Sequence, residues 1–295
     1  GHVTAVRYID AQGEQELPAE SVILAIGHSA RDTFESLLAG GITLVQKPFS
    51  IGARIEHPQS LINASQYGAA ASHPALGAAD YKLALHLPGG RSVYTFCMCP
   101  GGTVVAAASE PDSVVTNGMS YYARDGVNAN SALLVGIGPE DFGSEHPLAG
   151  MFLQREIERR AFVLGGRSGK APCQTVGDLL SGRASGKLGV VEPSYKPGVV
   201  PCDLAELLPA PLIGAMREAL PLLGRRLRGF DLPDAVLTGP ETRSSSPVRI
   251  SRDETFQSVS TLGLYPCGEG AGYAGGITSA AVDGVRCAEA ILKAY

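Results

Sequence analysis

The sequence predicts an α/β fold in which a domain divided between the two ends of the chain brackets a large mixed α+β insert. Three observations carry that expectation. A continuous apolar run, Val22-Ile23-Leu24-Ala25-Ile26, stops at Gly27 and leads into a helical pattern, as a strand buried on both faces of a parallel sheet would. Residues 263–277 read as strand, glycine-rich loop and helix in that order. From Phe49 onward the pattern changes to strict alternation, the period of a half-buried strand in a mixed or antiparallel sheet.

The composition supports a folded chain and narrows its class. Hydrophobic residues make up 44% of 295 and charged residues 18%, enough apolar material for a sizeable core. The 37 glycines point to tight turns and close backbone approaches, which a large ligand is one reason to need. A net charge of −5, with Arg225-Arg226-Leu227-Arg228 as the densest basic run, argues against nucleic acid as a partner. No stretch approaches 18 apolar residues, so no membrane span is expected, and Gly1-His2-Val3-Thr4 does not open a signal peptide. Six cysteines in no regular framework suggest reduced thiols and a cytoplasmic protein.

The elements follow in order. Val3-Thr4-Ala5-Val6-Arg7-Tyr8-Ile9 alternates, Asp10-Ala11-Gln12-Gly13 turns, and residues 14–17 return as a hairpin. After the buried run, residues 31–38 form a helix with Phe34, Leu37 and Leu38 on one face and Gly40-Gly41 at its end. Phe49, Ile51, Ala53 and Ile55 alternate with Ser50, Gly52, Arg54 and Glu56. Residues 57–90 are turn-rich, 92–99 and 103–108 are strands, and 117–131 read as loop. Helices are expected over 147–164, 172–180 and 204–223, the last interrupted by Pro209 and Pro211. Strands at 248–250 and 262–265 precede a final helix over 276–294.

The densest motif is Gly268-Glu269-Gly270-Ala271-Gly272-Tyr273-Ala274-Gly275-Gly276-Ile277, in which Gly270, Gly272 and Gly275 spell G-x-G-x-x-G. A primary dinucleotide fingerprint needs a second strand and an acid about 20 residues on. The sequence ends at Tyr295, so this is expected to be a terminal glycine-rich loop with another purpose. A flavin supplies one. A helix start offers N–H groups and about half a positive charge, which would face the N1–C2=O edge of a reduced isoalloxazine. Gly275 and Gly276 would let the backbone approach the ring, and Glu269 could accept from ribityl hydroxyls. The plain alternative is a helix packed on a sheet through its glycines.

Residues 25–33, 47–52, 54–59, 76–82, 96–102, 117–120, 192–198 and 268–284 together resemble a bacterial family of FAD-dependent dehydrogenases, also described as NAD(FAD)-utilising dehydrogenases. These stretches cover almost the whole chain. The resemblance implies that residues 1–46 and 256–295 are parts of a glutathione-reductase-like, Rossmann-type FAD/NAD(P)-binding domain, with 47–255 as the inserted substrate or cap domain. It implies FAD as cofactor, NAD(P)H as a candidate electron donor, and cofactor contacts at Ala25, Gly27, His28, Gly268, Glu269, Gly270, Gly272, Tyr273, Gly275, Gly276 and Ile277. Members of the family carry their primary G-x-G-x-x-G in an N-terminal βαβ unit ahead of the opening hairpin. That unit is missing from this sequence. The chain therefore reads as the C-terminal part of such an enzyme, its natural partner the missing N-terminal FAD-binding segment, and alone it is expected to be largely free of FAD.

Four further residues are candidates for chemistry. Cys97 and Cys99 share one face of a strand if its period is 2, and read either as a packed face or as a contact to substrate or flavin. No second cysteine pair or histidine pair completes a metal site, so no metal is expected. Arg243, beside Ser244, Ser245 and Ser246, suits a carboxylate or a flavin carbonyl, or else a surface salt bridge. Lys196 lies between turn formers, as a positioned group or a solvated lysine; His28 follows the buried run, as a helix-entry hydrogen bond or a chemical group. Residues 165–170 and 182–187 mimic phosphate loops but have three residues, not four, before Gly-Lys, and no Ser or Thr after it. The reading is an FAD-dependent oxidoreductase acting on an unspecified small molecule by hydride or electron transfer. The alternatives are a tRNA-modifying flavoprotein, which the acidic charge disfavours, and an FAD-free fragment that binds or packs without catalysis.

Overall fold

The computed structural model describes residues 1–294. They fold as two units, each discontinuous in sequence. The first holds Gly1–Phe49, Gly138–Leu153 and the residues from Ser245 on; the second holds Ser50–Ile137 and Gln154–Ser244. Residues 138–153 and 245–255, drawn from the sequence as part of the insert, therefore belong to the first unit.

In chain order, β1 (Ala5–Asp10) and β2 (Gly13–Pro18) precede β3 (Val22–Leu24), α1 (Arg31–Ala39) and β4 (Leu44–Gln46). Next come β5 (Phe49–Pro58), α2 (Gln59–Tyr67), β6 (Ala84–His86), β7 (Ser92–Cys99), β8 (Gly102–Ala106), β9 (Thr116–Ser120) and β10 (Asn128–Ile137). Then α3 (Ala149–Leu164), β11 (Ala171–Thr175), α4 (Val176–Ser181), β12 (Val199–Pro201) and α5 (Ala210–Arg226) follow. The last elements are β13 (Val236–Glu241), β14 (Val248–Ile250), β15 (Leu264–Pro266) and α6 (Ile277–Ala294). The fold is mixed α/β. No helix among the described residues is long and apolar enough to cross a membrane.

In the first unit β1 and β2 pair as the expected hairpin, Asp10 opposite Gly13. β15 lies parallel to β3, with Leu264 opposite Val22 and Pro266 opposite Leu24, and β14 lies antiparallel to β4. Phe34, Leu44, Leu148, Met151, Val248, Ile250 and Ala271 form the buried core. The apolar run 22–26 was expected to be buried on both faces. Instead β3 keeps three residues in a two-stranded ladder, and Ile23 is 41% exposed. A ladder of two strands offers too little surface to be covered on both sides.

The second unit is organised by a seven-stranded sheet in the order β12-β11-β13-β5-β10-β7-β6. β11 pairs parallel with β12, and β11–β13, β13–β5, β10–β7 and β7–β6 are antiparallel. β8 and β9 form a separate hairpin. Three expectations are revised here. β5 is not half-exposed: its polar residues Ser50, Arg54, Glu56 and His57 are buried. Residues 117–131 are loop only over 121–127: β9 runs to Ser120 and β10 starts at Asn128, with Asn128, Asn130 and Ser131 buried. Residues 171–175 are a strand, and the helix begins only at Val176, where the Thr175 side chain accepts from the Asp178 N–H. In the first two cases buried polar side chains bonded within the protein occupy positions where a sequence reading expects water. At α5, Pro209 is the N-cap and Pro211 falls in the first turn, so the prolines start the helix rather than interrupt it.

Candidate functional site

The polar face of β5 builds a buried charge cluster in the second unit. Arg54 is fully buried. Its Nε donates to Glu241 Oε2 at 2.5 Å and its Nη2 to Glu241 Oε1 at 3.0 Å, a bidentate pair across the β5–β13 ladder. Nη2 also donates to Asn117 Oδ1 at 3.0 Å, and Nη1 to Asn130 Oδ1 at 3.1 Å and the Cys97 carbonyl at 2.8 Å. β9 comes close because residue 118 is glycine: a Cβ there would lie 2.3 Å from Arg54 Nη1. The Asn130 Nδ2 and Thr238 Oγ1 atoms are buried without a hydrogen-bond partner.

Cys97 and Cys99 stand at the edge of this cluster. Cys97 is exposed and Cys99 buried, so the two thiols do not share one face as the period-2 reading required. The reason is a bulge. β10 residues Asn130 and Ala132 oppose Cys99 and Phe96, so the single residue Ser131 faces two residues of β7, and Cys97 takes a left-handed φ of 45°. Cys99 Sγ lies 3.3 Å from the Cys97 carbonyl and 4.0 Å from Arg54 Nη1. A hydrogen bond from the Cys99 thiol and the positive charge of Arg54 hold the Cys97 thiol down at about 5; the same hydrogen bond, with burial, pushes Cys99 up.

Two further residues of β5 are buried and polar, Glu56 on the face of Arg54 and His57 on the opposite one. Glu56 accepts from the Ser194 hydroxyl at 2.5 Å, the Ser194 N–H at 3.1 Å and Asn128 Nδ2 at 3.0 Å, and burial pushes its carboxyl up against those bonds. His57 donates from Nε2 to the Phe230 carbonyl at 2.7 Å, while Nδ1 is buried without a partner. Burial lowers its pKa to about 4. Between the unfolded value of 6.5 and about 4 the unfolded chain binds a proton that the folded chain does not, so stability falls as pH falls through that window. The full loss is roughly 3 kcal/mol. Urea unfolding from pH 7 to 4 should show it, and His57→Gln should flatten that part of the profile; an unchanged profile in the variant would refute the assignment.

In the first unit the glycine-rich loop divides into a packed half and an open half. The Gly268 N–H donates to Asp283 at 2.7 Å. A Cβ on Gly270 would fall 2.4 Å from the Gly27 carbonyl oxygen, so this glycine serves contact with the turn after β3. The Tyr273 hydroxyl donates to the Ile250 carbonyl and accepts from the Arg252 N–H, and its ring lies 3.7 Å under the Arg252 guanidinium. At Gly275 and Gly276 nothing lies within 4 Å of where a Cβ would stand. Ile277 is 93% exposed, and a cavity of about 640 Å³ opens along Tyr273, Gly276, Ile277, Ser279 and Asp283. The Gly275 N–H is used by Ser279 Oγ at 3.3 Å. His28 Nε2 lies 3.6 Å from Glu269 Oε1.

Residues 48–244 match the family described as FAD-dependent protein, C-terminal domain-like. The chain belongs to this family. An uncharacterised protein of Clostridium beijerinckii is 51% identical over 282 residues, which is 95% of this chain and 53% of that protein. The chain thus spans about half the length of the curated relative it matches. The family match spans almost the limits of the second unit, from Ser50 to Ser244.

Within this member of the FAD-dependent family, the stretches that carried the resemblance converge. Arg54, Cys97, Cys99 and Asn117 meet at one guanidinium, and Glu56 meets Ser194. Arg243 lies elsewhere: its Nη2 and Nε reach Glu158 at 2.8 and 3.1 Å, a pair whose side chains are 7% and 0% exposed, so this is no surface bridge. Lys196 is an exposed turn residue. Of the cofactor candidates, Gly268, Gly270 and Tyr273 are committed to internal contacts, as is Gly272, whose Cβ would meet the Val248 carbonyl at 2.7 Å. Ala25, Gly27, Gly275 and Ile277 are exposed, and His28, Glu269 and Gly276 half-buried. Cys267, Asp283 and Cys287 bring ligand atoms within 4.8 Å of one another, but Arg252 donates to both Asp283 oxygens at 2.9 and 2.6 Å, a cation already in a cation's place. Arg54, Glu241 and Asn130 escaped the sequence reading as a site; their partners lie on strands distant in sequence, and no strand was expected at Val236–Glu241.

Proposed function

We propose that this chain is the C-terminal part of an FAD-dependent oxidoreductase, which works together with an N-terminal FAD-binding segment and takes electrons from NAD(P)H for an unassigned small-molecule substrate. The observation that carries the reading is the open half of the glycine-rich loop. At the start of α6, Gly275 and Gly276 leave free space where side chains would stand, beside a cavity of about 640 Å³. The residues fit a planar, electron-rich ring edge: backbone at a helix start, no Cβ in the way, and the positive end of an 18-residue helix. Bound there, FAD would supply two-electron hydride chemistry. Gly276 and Ile277 would hold the ring edge, while Glu269, within 3.6 Å of His28, would accept hydrogen bonds from hydroxyls of the cofactor's chain. The relative of nearly twice the length and the family description support the reading.

The test uses an N-terminally extended, FAD-loaded protein. Because a Cβ at either position has nothing within 4 Å, Gly275→Val and Gly276→Val should fold normally, which thermal melting checks. FAD affinity, followed by fluorescence quenching, should fall by about tenfold or more in both, the loss of one charge-assisted hydrogen bond. Cys97→Ser and Cys99→Ser should keep wild-type affinity. Wild-type affinity in both glycine variants would reduce the loop to a packing element and remove the flavin from this end of the chain.

A further inference from the structure

The bulge in β7 does something the flavin reading does not use. On a regular strand, residues two apart lie about 6.6 Å from each other on one face, near the upper limit for bridging cysteines. Here Cys97 takes φ 45°, a backbone that residues with side chains rarely adopt, and the register against β10 slips by one residue. The result is asymmetric. Cys97 is exposed, Cys99 is buried, and the Cys99 thiol folds back to donate to the Cys97 carbonyl at 3.3 Å. Behind both stands Arg54, locked by its carboxylate and two asparagines, with Nη1 on the Cys97 carbonyl at 2.8 Å and 4.0 Å from Cys99 Sγ. An exposed nucleophile with a buried thiol in reach is the arrangement that thiol–disulfide exchange requires.

We propose that Cys97 and Cys99 form a redox-active dithiol that reduces disulfides, with Cys97 as the attacking and Cys99 as the resolving sulfur. The Cys97 thiolate attacks one sulfur of a disulfide RSSR; a Cys97–SR bond forms, the S–S bond breaks, and RS⁻ leaves. Cys99 then attacks Cys97 Sγ; the Cys97–Cys99 bond forms, the mixed disulfide breaks, and the Cys99 proton goes to the second leaving thiolate. Two electrons pass from the cysteine pair to the substrate, which leaves as one thiol and one thiolate, the thiolate taking its proton from solvent. Further turnover needs a two-electron donor of the dithiol or reduced-flavin class. The single turnover needs none, so the inference stands independently of the flavin reading.

The charges around the site favour this order of events. The groups facing Cys97 are Arg54 on β5, Glu241 on β13 and Cys99 on its own strand, with neutral Asn117 and Asn130 on β9 and β10. Cys97 at about 5 is thiolate at neutral pH, while Cys99 is held protonated. Once Cys97 is in a mixed disulfide, that thiolate no longer holds the Cys99 proton, and Cys99 is released to attack.

The experiment mixes the reduced full chain with excess dithiobis(nitrobenzoate) at neutral pH. The expected fast phase is two thionitrobenzoate ions per chain, with an intact mass showing two hydrogens lost and no aryl adduct. Cys99→Ser should release one ion and retain the aryl group on residue 97, located by peptide mass; Cys97→Ser should lose the fast phase. Cys173, Cys267 and Cys287 are buried and Cys202 half-buried, so they contribute slowly. Iodoacetamide alkylation of Cys97 should reach half its maximal rate well below the free-thiol value of about 8.5. Retention of the aryl adduct by the wild-type chain, a fast phase surviving in Cys97→Ser, or alkylation with the midpoint of a free thiol would each overturn the proposal.

Discussion

Arg54→Met is expected to destabilise the protein by about 3–5 kcal/mol, because it leaves the Glu241 carboxylate buried and without its cation. Glu241→Leu should cost a similar amount for the mirror reason, an uncompensated guanidinium at zero exposure. The double variant should recover much of the loss, since a buried ion pair replaced by apolar side chains of similar volume is often close to neutral. Recovery will be incomplete: the Asn130 side-chain oxygen would lack a donor, and the Asn117 side-chain oxygen and the Cys97 carbonyl would keep only the Gly118 N–H and the Cys99 thiol. Urea unfolding of the three variants makes the cycle. Single variants that lose less than about 1 kcal/mol would show that the pair is solvated in solution.

Gly52→Ala should be comparably damaging, at least about 3 kcal/mol, beyond the usual range for overpacking. An added Cβ would fall 1.8 Å from the Leu133 carbonyl oxygen and 3.1 Å from the Leu134 Cα, both backbone atoms of the neighbouring central strand β10. Backbone in the middle of a sheet cannot swing aside as a side-chain tip can, so β5 and β10 must separate. Loss of soluble protein, or a collapsed urea midpoint, would register it. Gly275→Ala, whose new methyl group meets nothing, is the control and should stay within about 0.5 kcal/mol of wild type. A wild-type midpoint for Gly52→Ala would mean that the two strands are farther apart than described.

Residues in ordinary circumstances were legible. The opening hairpin follows from alternation around Asp10 and Gly13, and the terminal order of strand, glycine-rich loop and helix follows from apolar runs separated by glycine. The long mid-chain helix α3 was visible from its spacing, apart from its first residues. What could not be read was the inside-out face of the second unit. Asn117, Asn128, Asn130 and Ser131 look like loop to any reading that sends polar residues to water, and Arg54 looks like the wet side of a half-buried strand. Their partners come from strands distant in sequence, so nothing local reveals them. Cys97 and Cys99 were singled out, yet the bulge that parts them depends on Ser131 of another strand.

The saturation of Arg54 has one more consequence. A guanidinium has five N–H bonds, and here each has an oxygen acceptor within 3.1 Å: two on Glu241, one on each asparagine, and the Cys97 carbonyl. It keeps nothing to offer a visiting anion, so it acts on Cys97 as a fixed potential rather than as a docking group. Its dipoles are already aimed before the sulfur gains or loses charge, and no reorientation accompanies the change. Because the source of that potential is buried, mobile ions reach it poorly, whereas an exposed pair would be screened over about 8–10 Å. The ionisation of Cys97 should therefore depend less on ionic strength than that of a thiol beside an exposed cation, since only the sulfur, and not its partner charge, meets the solution.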